Sequence, residues 1–301
     1  MKVAVIQISP IFLDKKATWG KLKRYILEAK NAGAELITWG ETLIPGYPAW
    51  IGLTDGAKFD DYEQKRAYST YVRESVKLEG DIISEMKDIA KKHHLMLMGG
   101  IVENQGSSVY CTLLTIGTDG NVLGRHRKIK PTYDERLIWA DGDIEGLQTY
   151  DTPEGKIGGL NCWENWIPLA RAALHEQGEM IHVAVWPGSI ELTRDISIFM
   201  AKEGRSWIIS ASGVFSGKDF SHLSEIDFPM KEKIVSQGGL HSGGSIIVNP
   251  KGEIIAGPLP DFEEGIIYAD IDQRTVLEER QNFDYSGHYG RPDLLKVWRK
   301  S

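Results

Sequence analysis

Apolar residues along this chain cluster in short runs, at 3–8, 36–38, 95–98, 111–116, 157–160, 181–185, 207–211, 245–248 and 265–269. Each run is strand length, and most end at Gly, Pro, Asn or Asp, as strands buried on both faces do. Between several of them the period changes to that of a helix. Trp19, Leu22, Ile26 and Ala29 repeat at helical spacing and stop at Gly33. Ile82, Met86 and Ile89 repeat it behind Asp81, and the stretch 169–174 reads as a third helix, entered through Pro168 and ended near Gly178. Buried strands alternating with helices predict a layered α/β architecture. Hairpin signals at Asp119-Gly120 and Pro250-Lys251-Gly252 add antiparallel strands, so the sheets are expected to be mixed. No repeat, low-complexity tract or long polar linker divides the chain. The expectation is one domain over residues 1–270 with a C-terminal arm at 271–301 used in assembly.

Composition narrows the chemistry more than the fold. The 301 residues carry a formal charge of -7, which argues against a nucleic-acid partner, because phosphate contacts need clustered Lys and Arg. No apolar stretch reaches the length of a membrane span and no leader pattern opens the chain, so the expected location is the cytoplasm. Two cysteines in so long a chain fit a reducing compartment. The usual cofactor motifs fail. No two glycines stand two residues apart, as a dinucleotide loop requires, and the stretch 213–218 is one residue short of a P-loop. There is no Gly-x-Ser-x-Gly elbow. His175-Glu176 lacks the second His of a zinc helix, and the adjacent His93 and His94 are expected at a solvated helix end. Neither a metal nor an organic cofactor is expected.

Three segments remain. Glu41, in Trp39-Gly40-Glu41-Thr42-Leu43-Ile44-Pro45-Gly46-Tyr47-Pro48, follows a buried strand, where α/β sheets build their sites, although a lone Glu there more often caps a helix. Lys128 lies in a basic cluster running from Arg125 to Lys130. Such a cluster is usually a solvated strand edge, but it could also place an ammonium beside carboxylates and a developing negative charge. Cys162, in Gly158-Gly159-Leu160-Asn161-Cys162-Trp163-Glu164, ends a strand just ahead of a helix start, the setting of either a core residue or an activated nucleophile. Cys111, inside Tyr110-Cys111-Thr112-Leu113-Leu114, reads as an inert strand-interior hydrophobe.

Taken together with Gly287-His288-Tyr289-Gly290-Arg291-Pro292-Asp293, these segments resemble the Glu-Lys-Cys signature of the nitrilase superfamily of carbon–nitrogen hydrolases. The Cys-Trp-Glu triplet is similar to the true nitrilase branch. The resemblance implies a four-layer αββα sandwich with mixed sheets, and homodimers or higher homo-oligomers. It implies Glu41 as general base, Lys128 as cationic stabiliser, Cys162 as nucleophile and Glu135 as a second glutamate that positions substrate and lysine. The implied reaction takes a small organic nitrile to the carboxylic acid and ammonia through a thioimidate and an acyl-enzyme. A cyanide hydrolase or an aliphatic amidase with the same triad is the alternative. Tyr47, Trp163, Trp166 and Trp186 adjoin these segments and are the candidate walls of an aromatic substrate pocket, with ordinary core packing as the competing role.

Overall fold

A computed structural model of the chain describes residues 1–296; the last five residues of the expected arm lie outside them. The strands are β1 (Lys2–Gln7), β2 (Leu36–Ile44), β3 (Met96–Gln105), β4 (Ser108–Ile116), β5 (Val122–Arg127), β6 (Tyr150–Thr152), β7 (Gly155–Asn161), β8 (Glu179–Trp186), β9 (Trp207–Ser212), β10 (Val214–Ser216), β11 (Gly239–Ser242), β12 (Ile246–Val248), β13 (Ile254–Ala256) and β14 (Gly265–Asp270). The helices are α1 (Lys15–Asn31), α2 (Trp50–Leu53), α3 (Tyr62–Glu74), α4 (Asp81–His93), α5 (Pro168–His175), α6 (Ile190–Gly204), α7 (Lys231–Val235) and α8 (Gln273–Arg280).

Two six-stranded sheets form, in the orders β14-β1-β2-β3-β4-β5 and β13-β12-β9-β8-β7-β6, with β10 and β11 as a separate ribbon. Both sheets are mixed. β1, β2 and β3 run parallel, as do β7, β8 and β9, while the flanking strands pair antiparallel.

The apolar runs are continuous because these strands are covered on both faces. Along β1, Val3 and Val5 face the second sheet and pack with Ile181, Val183 and Ile209. Ala4 and Ile6 face the other way, onto Trp19, Leu22 and Ile26 of α1 and Ile83 and Met86 of α4. On the far side, Ile196 and Met200 of α6 pack against Ala184, Ile208 and Ile246, and α5 places Leu174 on Leu160. The result is the expected four-layer αββα sandwich.

Helix α6 was not legible in the sequence for a physical reason. Its buried stripe is Thr193, Ile196, Ser197, Met200, Ala201 and Gly204, helical in spacing but with only Ile196 and Met200 large and apolar. Residues 271–280 are attached to the body: Ile271 and Val276 join the core between the sheets, and Trp207 Nε1 donates to the Asp272 carbonyl at 2.9 Å. Among the described residues no helix is long and apolar enough to cross a membrane.

One irregularity positions the site. The β2–β3 register runs Trp39 opposite Gly99 and resumes with Ile44 opposite Ile101, so residues 40–43 bulge out against Gly100 alone. A Cβ on Gly100 would land on Glu41 Cα and Thr42 N, so this close approach requires glycine. The bulge turns Glu41 off the strand and leaves Thr42 at φ 49°.

Candidate active site

Four side chains separated in sequence meet where β2, β5 and β7 end. Glu41 comes from the β2 bulge. Lys128 follows β5, its backbone N–H bonded to the Cys111 carbonyl at 2.8 Å. Glu135 lies on a single 3-10 turn whose sequence, Thr132-x-x-Glu135, is a capping box. Its carboxylate reaches back to Thr132 N at 2.6 Å and also accepts from Tyr47 Oη at 3.0 Å. Cys162 opens a second 3-10 turn, capped by Asn161-x-x-Glu164, and stands in the left-handed region at φ 46°. A non-glycine residue there costs of order 1 kcal/mol. Tyr133 at φ 45° and Ser189 at φ 91° are held similarly at the same site.

The Lys128 ammonium bridges the two glutamates, 3.2 Å from Glu41 Oε1 and 2.7 Å from Glu135 Oε2. The Glu41, Glu135 and Cys162 ligand atoms lie within 4.8 Å of one another, near enough to hold a metal ion. Lys128 Nζ, bonded to both carboxylates, already supplies the compensating cation.

All four groups are buried, and burial acts on the protonation of Glu41, Cys162 and Lys128. Removal from water pushes the Glu41 carboxyl up to about 7 against the pull of Lys128, with Glu135 adding to the rise. Burial also raises the Cys162 thiol well above its ordinary value; Lys128 opposes this, Glu41 and Glu135 reinforce it, and the Trp163 backbone N–H lowers it. Burial alone would lower the Lys128 ammonium, but Glu41, Cys162, Cys111 and Glu135 outweigh it and hold the group firmly charged. The resting site is therefore a neutral thiol, a persistent ammonium and a carboxyl group able to change protonation near neutral pH. Among the described residues Glu41 Oε2 has no hydrogen-bond partner, so one oxygen is open to receive a proton.

Cys162 opens onto a cavity of about 230 Å³. Of the four candidate walls, Tyr47, Trp163 and Trp186 line it. Trp166 does not: it lies 43% exposed on the surface, stacked on Trp163 with ring centroids 5.9 Å apart. Trp186 is locked by its Nε1 bond to Ser210 Oγ at 2.9 Å.

The structure also brings in residues that no motif marked. His241, from the β10–β11 ribbon, lines the cavity edge-on to Tyr47, with its Nε2 buried and, among the described residues, unpartnered. Burial lowers its imidazole to about 4, so it presents a neutral ring. Cys111 is not a bystander: its thiol donates to Glu41 Oε1 at 3.2 Å. Alternation along β4 could have shown which face it occupies, but not that Glu41 lay opposite. The basic cluster is not a solvated edge either. Arg127 is buried and, with the partly exposed Arg125, bonds the buried Glu103.

Glu164 joins the two halves of the site. It accepts from Ile129 N at 2.9 Å and Asn161 N at 3.1 Å, and meets His126 Nε2 at 2.7 Å. The backbone next to Lys128 is thereby bolted to the backbone next to Cys162.

Comparison with known proteins places this geometry in a lineage. The carbon-nitrogen hydrolase family profile matches residues 2–281. The chain is 35% identical to Nitrilase 1 of Arabidopsis thaliana, over 99% of this chain and 86% of that protein. It is 36% identical to the arylacetonitrilase of Aspergillus kawachii, over 98% and 90% respectively. Among solved structures, Saccharomyces cerevisiae Nit3, a member of branch 10 of the nitrilase superfamily, superposes with a TM-score of 0.69 at 19% identity, over 96% of both chains. At that identity the likeness speaks to the fold alone.

Proposed function

This chain belongs to the carbon–nitrogen hydrolase family, and on that premise we propose that it hydrolyses organic nitriles to the carboxylic acid and ammonia with Cys162 as nucleophile. The observation that carries the reading is the buried Cys162 thiol lining a cavity, beside a carboxyl group pushed up to about 7 and an ammonium bridging two carboxylates. The full-length likeness to proteins named as nitrilases supports nitriles over amides as substrates.

A nitrile carbon is a weak electrophile, and sulfur is the strongest nucleophile this site offers. Glu41 takes the Cys162 proton as sulfur bonds to the nitrile carbon. The proton passes to the nitrile nitrogen, one C–N π bond is lost, and a thioimidate forms. Water, deprotonated by Glu41, adds to that carbon, and the tetrahedral intermediate expels ammonia to leave a thioester. A second water releases the acid and restores the thiol, so two waters are consumed per nitrile. If the intermediate expels sulfur instead of ammonia, the product is the amide. Lys128 and the Trp163 backbone N–H offset the negative charge that builds on nitrogen and oxygen, at a scale of about 3 kcal/mol per well-placed donor. Glu135, fixed by Thr132 and Tyr47, holds Lys128 against that demand.

The test is ammonia release from matched nitriles and amides. Turnover of nitriles, with the acid as main product and no turnover for Cys162→Ala, is expected. Activity on amides alone would defeat the assignment.

We further propose a homodimer working in the cytoplasm. The reducing compartment suits two free buried thiols in a site where oxidation would end the chemistry. Self-association is supported by large apolar side chains exposed on α5 and α6, where Leu169 is 69%, Leu192 55% and Phe199 50% exposed.

A further inference from the structure

Behind the nucleophile, on the side away from the cavity, three fully buried polar side chains stand in a row. Asn165, three residues after Cys162, donates its amide to the Cys162 carbonyl at 2.9 Å and to the Leu160 carbonyl at 3.2 Å. Both amide hydrogens are thereby used and the orientation of the amide is fixed, so Asn165 Oδ1 can only accept. The atom facing it is His182 Nε2, at 2.7 Å. His182 Nδ1 in turn meets Glu179 Oε1 at 2.9 Å. All three residues are at most 2% exposed.

The proton count along this row follows from the contacts. His182 Nε2 must carry hydrogen, because its partner accepts. The Nδ1–Glu179 contact holds one proton, on nitrogen or on the carboxyl oxygen, and in either form the Nε2–H remains. Glu179 therefore fixes which way the imidazole donates, and the imidazole fixes which way the Asn165 amide donates.

Around the row, Glu179 Oε2 faces His175 Nδ1 at 3.6 Å, and His175 Nε2 faces Glu203 at 3.8 Å. Arg171 bonds Glu203 and the Asn165 carbonyl, and Arg280 donates to the Glu179 carbonyl. Gly158 lacks the Cβ that would collide with Glu179 Oε1.

Burying such groups is costly, and a well-packed apolar cluster of the same volume is often as stable or more so. The row ends on the one residue of the site that must hold a thiol in a strained conformation, at φ 46°. We infer that Asn165, His182 and Glu179 form a positioning relay that holds the Cys162 backbone in its left-handed conformation and so aims the thiol at the substrate carbon. The inference rests on Cys162 being the nucleophile. None of the three touches substrate; they act through the peptide of Cys162, as outer-shell groups orient metal ligands.

The experiment compares Asn165→Asp, Glu179→Gln and Glu179→Leu with the unaltered enzyme and with Cys162→Ala. It reads kcat and KM on the best of the matched nitriles, the rate of Cys162 alkylation by iodoacetamide followed by mass spectrometry, and the folded fraction by circular dichroism. Asn165→Asp cannot donate to the two carbonyls, and should lower kcat and the alkylation rate about 10- to 100-fold while KM changes little. Glu179→Leu frees the imidazole tautomer and should fall in the same direction. Glu179→Gln can still donate to Nδ1 and keep Nε2–H, and should stay within about threefold of the unaltered enzyme, a rescue that simple loss of packing does not produce.

The relay is overturned if folded Asn165→Asp and Glu179→Leu keep kcat and alkylation rate within threefold. It is overturned equally if Glu179→Gln is as damaging as Glu179→Leu. Should Asn165→Asp fail to fold, the Glu179 pair decides. An active Cys162→Ala would instead remove the nucleophile assignment, a failure distinct from that of the relay.

Discussion

At the scale of single residues, the protonation of Glu41 governs what the site can do. Its carboxyl is pushed up to about 7, chiefly by burial. In the proposed reaction the carboxylate accepts a thiol proton, so the reactive form accumulates as pH rises toward 7 and is lost below it. The limb of kcat/KM on the acid side should therefore bend near pH 7, and lie about 100-fold below its plateau two pH units lower. An inflection near the ordinary carboxylate range, measured on a nitrile whose own ionisation is constant, would exclude Glu41 as the titrating base.

Cys111 gives a second residue-scale prediction. Its thiol donates one weak hydrogen bond to Glu41 Oε1. Cys111→Ala should cost about three- to tenfold in kcat, the scale of one modest hydrogen bond, whereas Cys162→Ala should abolish turnover. Equal loss in the two variants would mean that the cysteines have been assigned the wrong roles. Sequence pattern marked Cys111 as a small core residue, which is true of its burial. Its contact with Glu41 spans 70 positions and had no local signal.

At the scale of elements, the two 3-10 turns and their capping boxes do the aiming. Glu164 satisfies two backbone N–H groups, that of Asn161 at the end of β7 and that of the half-buried Ile129 just after β5, and meets His126. Glu164→Leu leaves those donors unpaired, at about 1–3 kcal/mol for each group, and should cost about 3 kcal/mol of stability by chemical denaturation. Glu203 on α6 offers a pH-dependent counterpart. Burial alone would raise its carboxyl, but the His175 imidazole 3.8 Å away and the hydrogen bonds from Arg171 hold it at about 2, against an unfolded value near 4.5. A depressed carboxyl contributes stability that is present above the unfolded value and lost as pH falls toward the folded one. Glu203→Gln should therefore lower Tm more at pH 7 than at pH 3; an equal or larger loss at pH 3 would show that the Arg171 and His175 pairing contributes nothing. Strands β1, β8 and β9 were plain in the sequence because both faces are apolar, while α6 was hidden by the Thr, Ser and Gly in its buried stripe.

At the scale of the whole molecule, the αββα sandwich buries one face of each sheet on the other and leaves α5 and α6 outermost. Leu169, Leu192 and Phe199 stand out from that layer, close in sequence to Cys162 and to the cavity-lining Ser189. If this is where two copies meet, Leu169→Glu with Phe199→Glu should shift the mass by light scattering to that of a single chain of 33.7 kDa. An unchanged mass in the folded double variant would place self-association elsewhere.

Period and turn signals by themselves determined the layered α/β class and most of the buried strands, and the resemblance of the motifs singled out Glu41, Lys128, Glu135 and Cys162 as the candidate catalytic groups. Those features are local: a strand covered on both faces is an apolar run, and each motif is a short contiguous stretch of chain. Only the tertiary structure decided the distances among the four groups, the contact of Cys111 with Glu41, the entry of His241 into the cavity and the relay from Glu179 to Cys162. The reason is that these pairings cross between strands and sheets, where register and bulges set what meets what. The protonation that makes the site reactive depends on how completely those neighbours exclude water, a quantity no run of residues carries.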